Sequence, residues 1–447
     1  MKSKVTSHLM VTCLAAFLAS AAGRGQEPPA QTWTLERALA YALDQNPDAR
    51  LARQRIAAAR AGVEQANAGV WPRLQFQSSY MRTDNPMLVF GSILNQHAFK
   101  SSLDFNNVPD VDDLNVKGQL TMPLYSGGRT TASRKAAKAG LEAARQENEA
   151  VRNTLAFEVA RGFHTVLKTR EYIRAAEAAV VSYETNLTIG RKRFEGGTLL
   201  KSDLLDLEVR LAQAREDLLR ARNARSLVTR ALQTLLGIEN GAAFEIADTL
   251  PSVSVPGSED FSQRPEISAA AHREEAAEEQ TRAAKAGFRP RVSAFGNVDY
   301  DYGFKFDQDG TSYTVGALLQ WDLWDGFLTR GKVREARAQA ESVREQQRKT
   351  KLGIGLEVEQ ARLELGTAGQ RLEVSRQTVA QAEESTQLTR KRFEQGLALA
   401  PQLMDAETAL VAARVRRSEA EADQRIAVAA LRKALGLPQT DSKPNEQ

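Results

Sequence analysis

The chain is short of the residues that most often carry chemistry. It has one cysteine in 447 residues, Cys13, and four histidines. Cys13 lies inside an apolar run from Leu9 to Ala22, which follows Lys2 and Lys4 and contains the small residues Ala19-Ser20-Ala21. A charged start, a short apolar run and small residues make a secretory signal peptide, expected over 1–21. A lipid-anchored signal carries its cysteine at the end of such a run behind a small residue. Here Thr12 precedes Cys13 and more apolar sequence follows. The mature chain then has no thiol for a disulfide, a metal or a nucleophile. Its histidines, His97, His164 and His272, are far apart and show no metal-ligand spacing. With no Gly-rich phosphate loop and no nucleophile motif, neither a cofactor nor an enzyme activity is expected.

A second absence is a long apolar run. No mature segment reaches the ~18 apolar residues of a spanning helix, so a membrane can be crossed only by strands. Charge is nearly balanced: the formal +4, less Lys2 and Lys4, leaves +2. That offers nucleic acid no electrostatic footprint.

What the chain has is repetition. Arg191-Lys192-Arg193-Phe194-Glu195-Gly196-Gly197 and the residues to Glu208 recur, 199 positions on, as Arg390-Lys391-Arg392-Phe393-Glu394-Gln395-Gly396 and the residues to Glu407, with 10 of 18 positions identical. In each copy a helical pattern enters, a glycine stops it and a second helical pattern leaves. Asn46-Pro47-Asp48 likewise matches Arg264-Pro265-Glu266, and Trp71-Pro72 matches Arg289-Pro290, but at an offset of 218. Such self-similarity fixes the architecture: a first repeat over 22–238, a connecting segment at 239–258, a second repeat over 259–437, and a flexible tail at 438–447. Phe244-Glu245-Ile246 in the connection reads as a short strand at mid-height.

After each proline the apolar period changes from three-and-four to two. Leu74, Phe76, Ser78 and Tyr80 form one face. Leu114 to Leu124, Val292 to Tyr302 and Tyr313 to Leu323 alternate in the same way. Strands are expected at about 73–83, 114–124, 291–302 and 311–323, each close to ten residues with one apolar face. That is the length and alternation of a transmembrane β-strand. The offset changes because the first strand pair carries the longer loop, about Thr83–Asp113, against Gly303–Gly310 in the second. Met87-Leu88-Val89-Phe90, Ile93-Leu94 and Phe99 make that first loop apolar, which needs explaining in an exposed segment. It either packs on the barrel rim or on its own residues, or folds inward to narrow the outer mouth.

Helices are expected at 34–69, 127–189 and 201–236, then at 261–287, 326–388 and 401–435. The long ones step through heptad positions such as Val151, Leu155, Val159 and Gly162, and Thr350, Ile354, Val358 and Ala361. Two successive steps of four in both copies form a stutter, which locally unwinds a coiled coil. About 60 residues reach roughly 90 Å, and the ~36-residue return helices roughly 54 Å. The helix before each strand pair is therefore free to stack end to end with the return helix.

Four spanning strands cannot close a barrel, because each unpaired edge group in lipid costs several kcal/mol. Two copies give eight strands, a barrel filled by its own side chains. Three give twelve and leave a lumen. The fold class is thus mainly α with a membrane β section: a duplicated helix–β-hairpin–long helix–helix repeat, expected as a hollow α-helical coiled-coil tunnel continuous with a β-barrel. A periplasmic adaptor has one helical hairpin flanked by soluble β domains, and a structural coiled-coil protein has no use for the strands. Both remain as rivals that membrane partitioning separates.

The Leu35-Glu36-Arg37-Ala38-Leu39 start up to Asn46-Pro47, the two strand pairs, the two long helices and the two Phe-Glu-x-Gly tips resemble the TolC family of outer-membrane efflux proteins over the whole mature length. The resemblance implies a homotrimer, a trimeric 12-strand β-barrel in the Gram-negative outer membrane with its α-helical tunnel in the periplasm. It implies service as the exit duct for an inner-membrane pump joined through a periplasmic adaptor. It makes Gly197, Thr198, Leu199, Gly396, Leu397 and Leu399 the adaptor-docking tips. Asp203 and Asp206 lie at i and i+3 on one helix face. They either complement the helix dipole or, with Asp405, ring the tunnel mouth as gate acids. The match is incomplete: Gln402 replaces one acidic position, and Ala398 stands where a gate arginine is found in the family. Arg193 and Arg392 either substitute for it or make surface ion pairs.

Overall fold

The interruption at Asn46-Pro47-Asp48 is a joint between two helices, α1 (Leu35–Gln45) and α2 (Pro47–Ala68). The Asn46 side-chain oxygen accepts the Asp48 N–H at 2.6 Å, and Pro47 occupies the first turn, where no N–H is needed. The computed structural model describes residues 32–104, 106–239, 244–247, 254–257 and 259–441; the signal peptide at 1–21 lies outside them. After α2 come strand β1 (Arg73–Thr83), a short helix α3 (Pro86–Asn95), strand β2 (Val111–Tyr125), the long helix α4 (Arg129–Glu195) and its return α5 (Lys201–Leu236). The second repeat runs α6 (Pro265–Lys285), a 3-10 turn, β3 (Arg291–Gly303), β4 (Gln308–Gln320), α7 (Leu328–Glu394) and α8 (Ala400–Ala434). Among the described residues no helix is long and apolar enough to cross a membrane.

Several elements differ from the sequence reading. The long helices continue to Glu195 and Glu394 rather than stopping at 189 and 388. Lys192 and Arg193, and Lys391 and Arg392, fall in their last turns, where cations complement the helix dipole. The helix expected from 261 starts only at Pro265, because a residue before proline is driven to extended backbone, as Arg264 is. The last strand lies at 308–320, not 311–323. Pairing runs on to Gly303 opposite Gln308, leaving a tight turn at Phe304–Asp307, with Asp307 in the left-handed region. The loop at 83–113 contains a ten-residue helix, α3. In the tail, Pro438–Asp441 are tied down: the Arg432 guanidinium donates to the Pro438 carbonyl at 2.6 Å and pairs with Asp441 at 2.8 Å.

The four strands form one antiparallel sheet in chain order, β1-β2-β3-β4. The register sets Phe76 opposite Gly118, Gly118 opposite Val298 and Val298 opposite Tyr313, so the four apolar faces lie on one side. That face is open: Phe76 is 73% and Tyr313 80% exposed. The other face carries Gln75, Gln77, Asn115, Lys117, Asn297, Asp299 and Thr314. On it Lys117 pairs with Asp299 at 3.1 Å, and Asn115 donates to Asp301 at 2.8 Å.

Each strand is prolonged by helix, giving four columns. α4 packs against α2 and α5 on one side and against α6 and α8 on the other; α7 packs against α6 and α8. The order across the protomer is therefore α2/α5, α4, α6/α8, α7, the same as β1 to β4. This order explains the burial of α4. A single heptad stripe suffices for α7, which buries Ile354, Val358, Ala361, Ala368, Leu372, Ser375 and Val379. α4 has neighbours on two sides and also buries Ala160, Phe163 and His164, which lie off the stripe.

The stacked helices meet at mid-height. Asn46 Nδ2 donates to the Leu235 carbonyl at 2.7 Å, and Arg264 Nη1 to the Ala434 carbonyl at 3.1 Å. Trp33 forms a parallel bridge with Ile246 and stacks on Phe244. Its core cluster includes Leu35, Leu155, Val159, Phe163 and Leu236. The stutter thus falls where the partner of α4 changes from α5 to α1 and α2. Val358 and Ala361 lie at the matching exchange from α8 to α6.

Candidate functional site at the helical tips

Both tips are built from the same turn. After α4, the Gly197 N–H bonds the Phe194 carbonyl at 2.9 Å and the Thr198 N–H bonds the Arg193 carbonyl at 2.8 Å. After α7, Gly396 bonds Phe393 at 3.0 Å and Leu397 bonds Arg392 at 2.8 Å. Each closure needs a residue at positive φ, which Gly197 (71°) and Gly396 (79°) supply.

The start of the return helices differs between the copies. The Leu399 N–H is received by Gln402 Oε1 at 3.1 Å, half of a capping box. Gln402, the departure from the acidic pattern, therefore caps its own helix. Asp203 stands in the first turn of α5, where a carboxylate complements the dipole.

The two tips are joined across the repeats by one side chain. Arg193 Nη1 donates to the Phe393 carbonyl at 2.9 Å and Nη2 to the Thr198 carbonyl at 3.1 Å. Its guanidinium lies 4.7 Å from the centre of the fully buried Phe393 ring. Arg193 thus engages carbonyls and a ring within the protomer. Its counterpart Arg392 is exposed. Asp203 is half-buried, Asp206 and Asp405 are exposed, and among the described residues none of the three has an ion-pair partner.

The expected docking residues divide. Leu397 (75%) and Leu399 (67%) are open to solvent, and Thr198 is exposed; Leu199 packs on the apolar tip core with Leu207 and Leu403. Sequence reasoning passed over Leu200, which is equally open. The repeat offset could have found it, since 199 maps it onto Leu399. A buried polar knot above the tip was also missed: Glu407 is ion-paired with Arg390 and accepts from Asn186 Nδ2 at 3.1 Å, and Arg390 donates to Ser182 at 2.5 Å. The first-repeat counterparts, Arg191 and Glu208, pair at 3.2 Å in the open. Identical residues thus serve the interior in one copy and solvent in the other.

A family model described as outer membrane efflux protein matches residues 38–238 and 258–437. The pyoverdine export outer membrane protein OpmQ of Pseudomonas putida is 25% identical over 443 residues, covering 93% of this chain and 90% of OpmQ. The outer membrane protein TolC of Vibrio cholerae is 29% identical over 164 residues, which is 37% of this chain and 34% of that protein. The solved outer membrane protein VceC of Vibrio cholerae shares the fold, with a TM-score of 0.77 at 21% identity over 90% of this chain and 96% of its own. Both strand pairs and both tips fall within the two matched segments: the chain belongs to the outer membrane efflux protein family.

Proposed function

We propose that this outer-membrane efflux protein is a passive exit duct. Three copies close a 12-strand barrel in the outer membrane and a helical tunnel in the periplasm. The tips receive substrate from an inner-membrane pump through a periplasmic adaptor. The observation that carries this reading is that the protomer ends on both flanks in incomplete structure. β1 and β4 are edge strands of a sheet whose apolar face is exposed, and unpaired edges are untenable in lipid. The columns beneath them end alike, with Leu219 and Leu227 exposed on α5, and Leu356, Leu363 and Val374 exposed on α7. A ring in which β4 and α7 of one copy meet β1 and α2/α5 of the next pairs both kinds of edge at once.

The tip residues support the remaining roles. Leu200, Leu397 and Leu399 form an apolar rim suited to an adaptor's helical hairpin, between the glycine turns at Gly197 and Gly396. Asp203, Asp206 and Asp405, repeated by threefold symmetry, make acidic rings at the mouth, an arrangement that selects cations. Arg193 holds the tips together, and Arg392 is free to face a neighbour's acids.

The native mass of the mature protein, extracted in detergent from outer membranes, tests the duct. A trimer is expected, and a water-soluble monomer or dimer would sink the reading. Adaptor capture by the trimer, lost on Leu200→Asp and Leu399→Asp, tests the docking assignment.

A further inference from the structure

The loop between β1 and β2 is not spread over the rim. The end of α3 is seated on the sheet: Gln96 Nε2 donates to Asp113 Oδ1 at 2.9 Å and to the Asp112 carbonyl at 2.8 Å, and His97 Nδ1 lies 3.2 Å from the Asp309 carbonyl. A Cβ on Gly303 would overlap Gln96, and one on Gly310 would overlap the Asn95 carbonyl. These two glycines leave room for the helix end. In the strand register, Asp113 and Gly303 share a face with Asn115, Asp301 and Gly310, which is the polar face. α3 therefore lies opposite the side that meets lipid, inside any barrel these strands close.

One side of α3 is satisfied there, with Val89 and Ile93 fully buried. The other is apolar too: Met87 is 78% exposed and Leu94 44%. A helix that is hydrophobic all round belongs in an interior, yet this side looks into the lumen. Between Met87 and Leu94, on the same stripe, stands Gly91. A Cβ there would meet nothing within 4 Å in the protomer. Glycine in a helix interior costs about 1 kcal/mol relative to alanine, and nothing in the protomer accounts for it here. Close approach of another helix would.

The dimensions allow that approach. Twelve strands about 4.8 Å apart and tilted about 40° enclose a backbone cylinder roughly 24 Å across. The axis is thus about 12 Å from the wall, within reach of a helix of about 11 Å diameter, side chains included, that is seated against it.

We propose that the three α3 helices of a trimer meet at its axis through Met87, Gly91 and Leu94, forming an apolar constriction at the outer mouth. The proposal rests on the trimeric duct. Its occupant is a second and third copy of the same helix, and hydrophobic constrictions of this kind gate by excluding water.

The test uses the full-length protein and begins with its native mass. Cys13, the sole cysteine, lies in the expected signal peptide, so Leu94→Cys gives a single thiol. A short bismaleimide is expected to link Leu94→Cys protomers in the trimer and to leave Phe76→Cys, on the apolar face, unlinked. Separately, Gln77→Cys on the polar face is labelled on intact cells with a bulky membrane-impermeant maleimide. Adding Met87→Asp and Leu94→Asp, both at exposed positions, should speed labelling by about tenfold. A trimer in which Leu94→Cys links no better than Phe76→Cys, or in which labelling is unchanged, overturns the constriction alone. A native mass that is not a trimer overturns the duct and the constriction together.

Discussion

Asn46 and Arg264 occupy the same place in the two repeats and make the same contact. Each precedes a helix-starting proline, and each donates from its side chain to a carbonyl at the end of the return helix, Leu235 or Ala434, which match at the 199-residue offset. The stacked columns are thus sealed by the residue that starts the upper helix. Around Arg264 the seal is charged, with Glu266, Glu357 and Lys433 gathered on it. Burial alone would raise the Glu357 carboxyl, but hydrogen bonds from Lys433 and Arg264 outweigh it and hold the group below its ordinary range. Arg264→Ala is expected to destabilise the helical section by about 3 kcal/mol, since it strands Glu266, leaves Glu357 to Lys433 alone and unseals the Ala434 carbonyl. Asn46→Ala should cost about 1–2 kcal/mol. Thermal unfolding followed by far-UV circular dichroism ranks the two, and equal effects would contradict the charged seal.

The link between the tips predicts asymmetry in gating. Arg193→Ala removes two hydrogen bonds and the stacking on Phe393, a loss of about 1–2 kcal/mol. The closed tip should open more often, seen as a higher open probability in single-channel recordings. Arg193→Lys should behave much like alanine, because an ammonium reproduces neither the fork nor the stacking. Arg392→Ala, at the exposed counterpart, should change the closed state less.

His164 sets a pH dependence. Burial, with Arg425 adding to it, lowers its pKa from 6.5 to about 4. The folded value lies below the unfolded one, so this stability is full above pH 6.5. It declines as pH falls towards 4, where the unfolded chain takes up the proton first. The loss across that window is about 3 kcal/mol. His164→Leu should flatten stability between pH 6.5 and 4.5 in denaturant titrations; a slope equal to the wild type would show that other groups carry it.

Ion selectivity should respond to the polar face of the sheet. Lys117 neutralises Asp299 there, with Asp301 and Asp113 nearby on the same face. Lys117→Ala leaves the acids unopposed and should shift the reversal potential in a salt gradient towards cations. Asp299→Ala should move it towards anions. Shifts of the same sign in both variants would mean that this face does not line the ion path.

The residue pattern made the repeat, the strand alternation and the tip turns legible, because each rests on local rules: a period, a proline, a glycine at positive φ. Val358 and Leu372 could be read as core because α7 has packed neighbours along one side only. Phe163 and His164 escaped the same reading, since their burial depends on α4 having neighbours on both sides, which no single heptad records. The knot of Asn186, Arg390 and Glu407 was hidden for a related reason. Repeat symmetry equates Arg390 with Arg191, and only the tertiary order of the columns makes one interior and the other exposed. α3 was seen as an apolar loop but not as a helix, for its ten residues are apolar on every side and so carry no amphipathic period.

The tips and the strand loops differ in how far the duplication survives. At the tips, two closely similar glycine turns per chain give a ring of three a near-sixfold outline. At the other end, only the first loop of each chain carries α3, so the outline there is strictly threefold. A partner gripping the glycine turns alone would saturate at six per assembly, and one that distinguishes Arg193 from Arg392 at three. The stoichiometry of a bound complex thus reports which of the two symmetries its partner recognises.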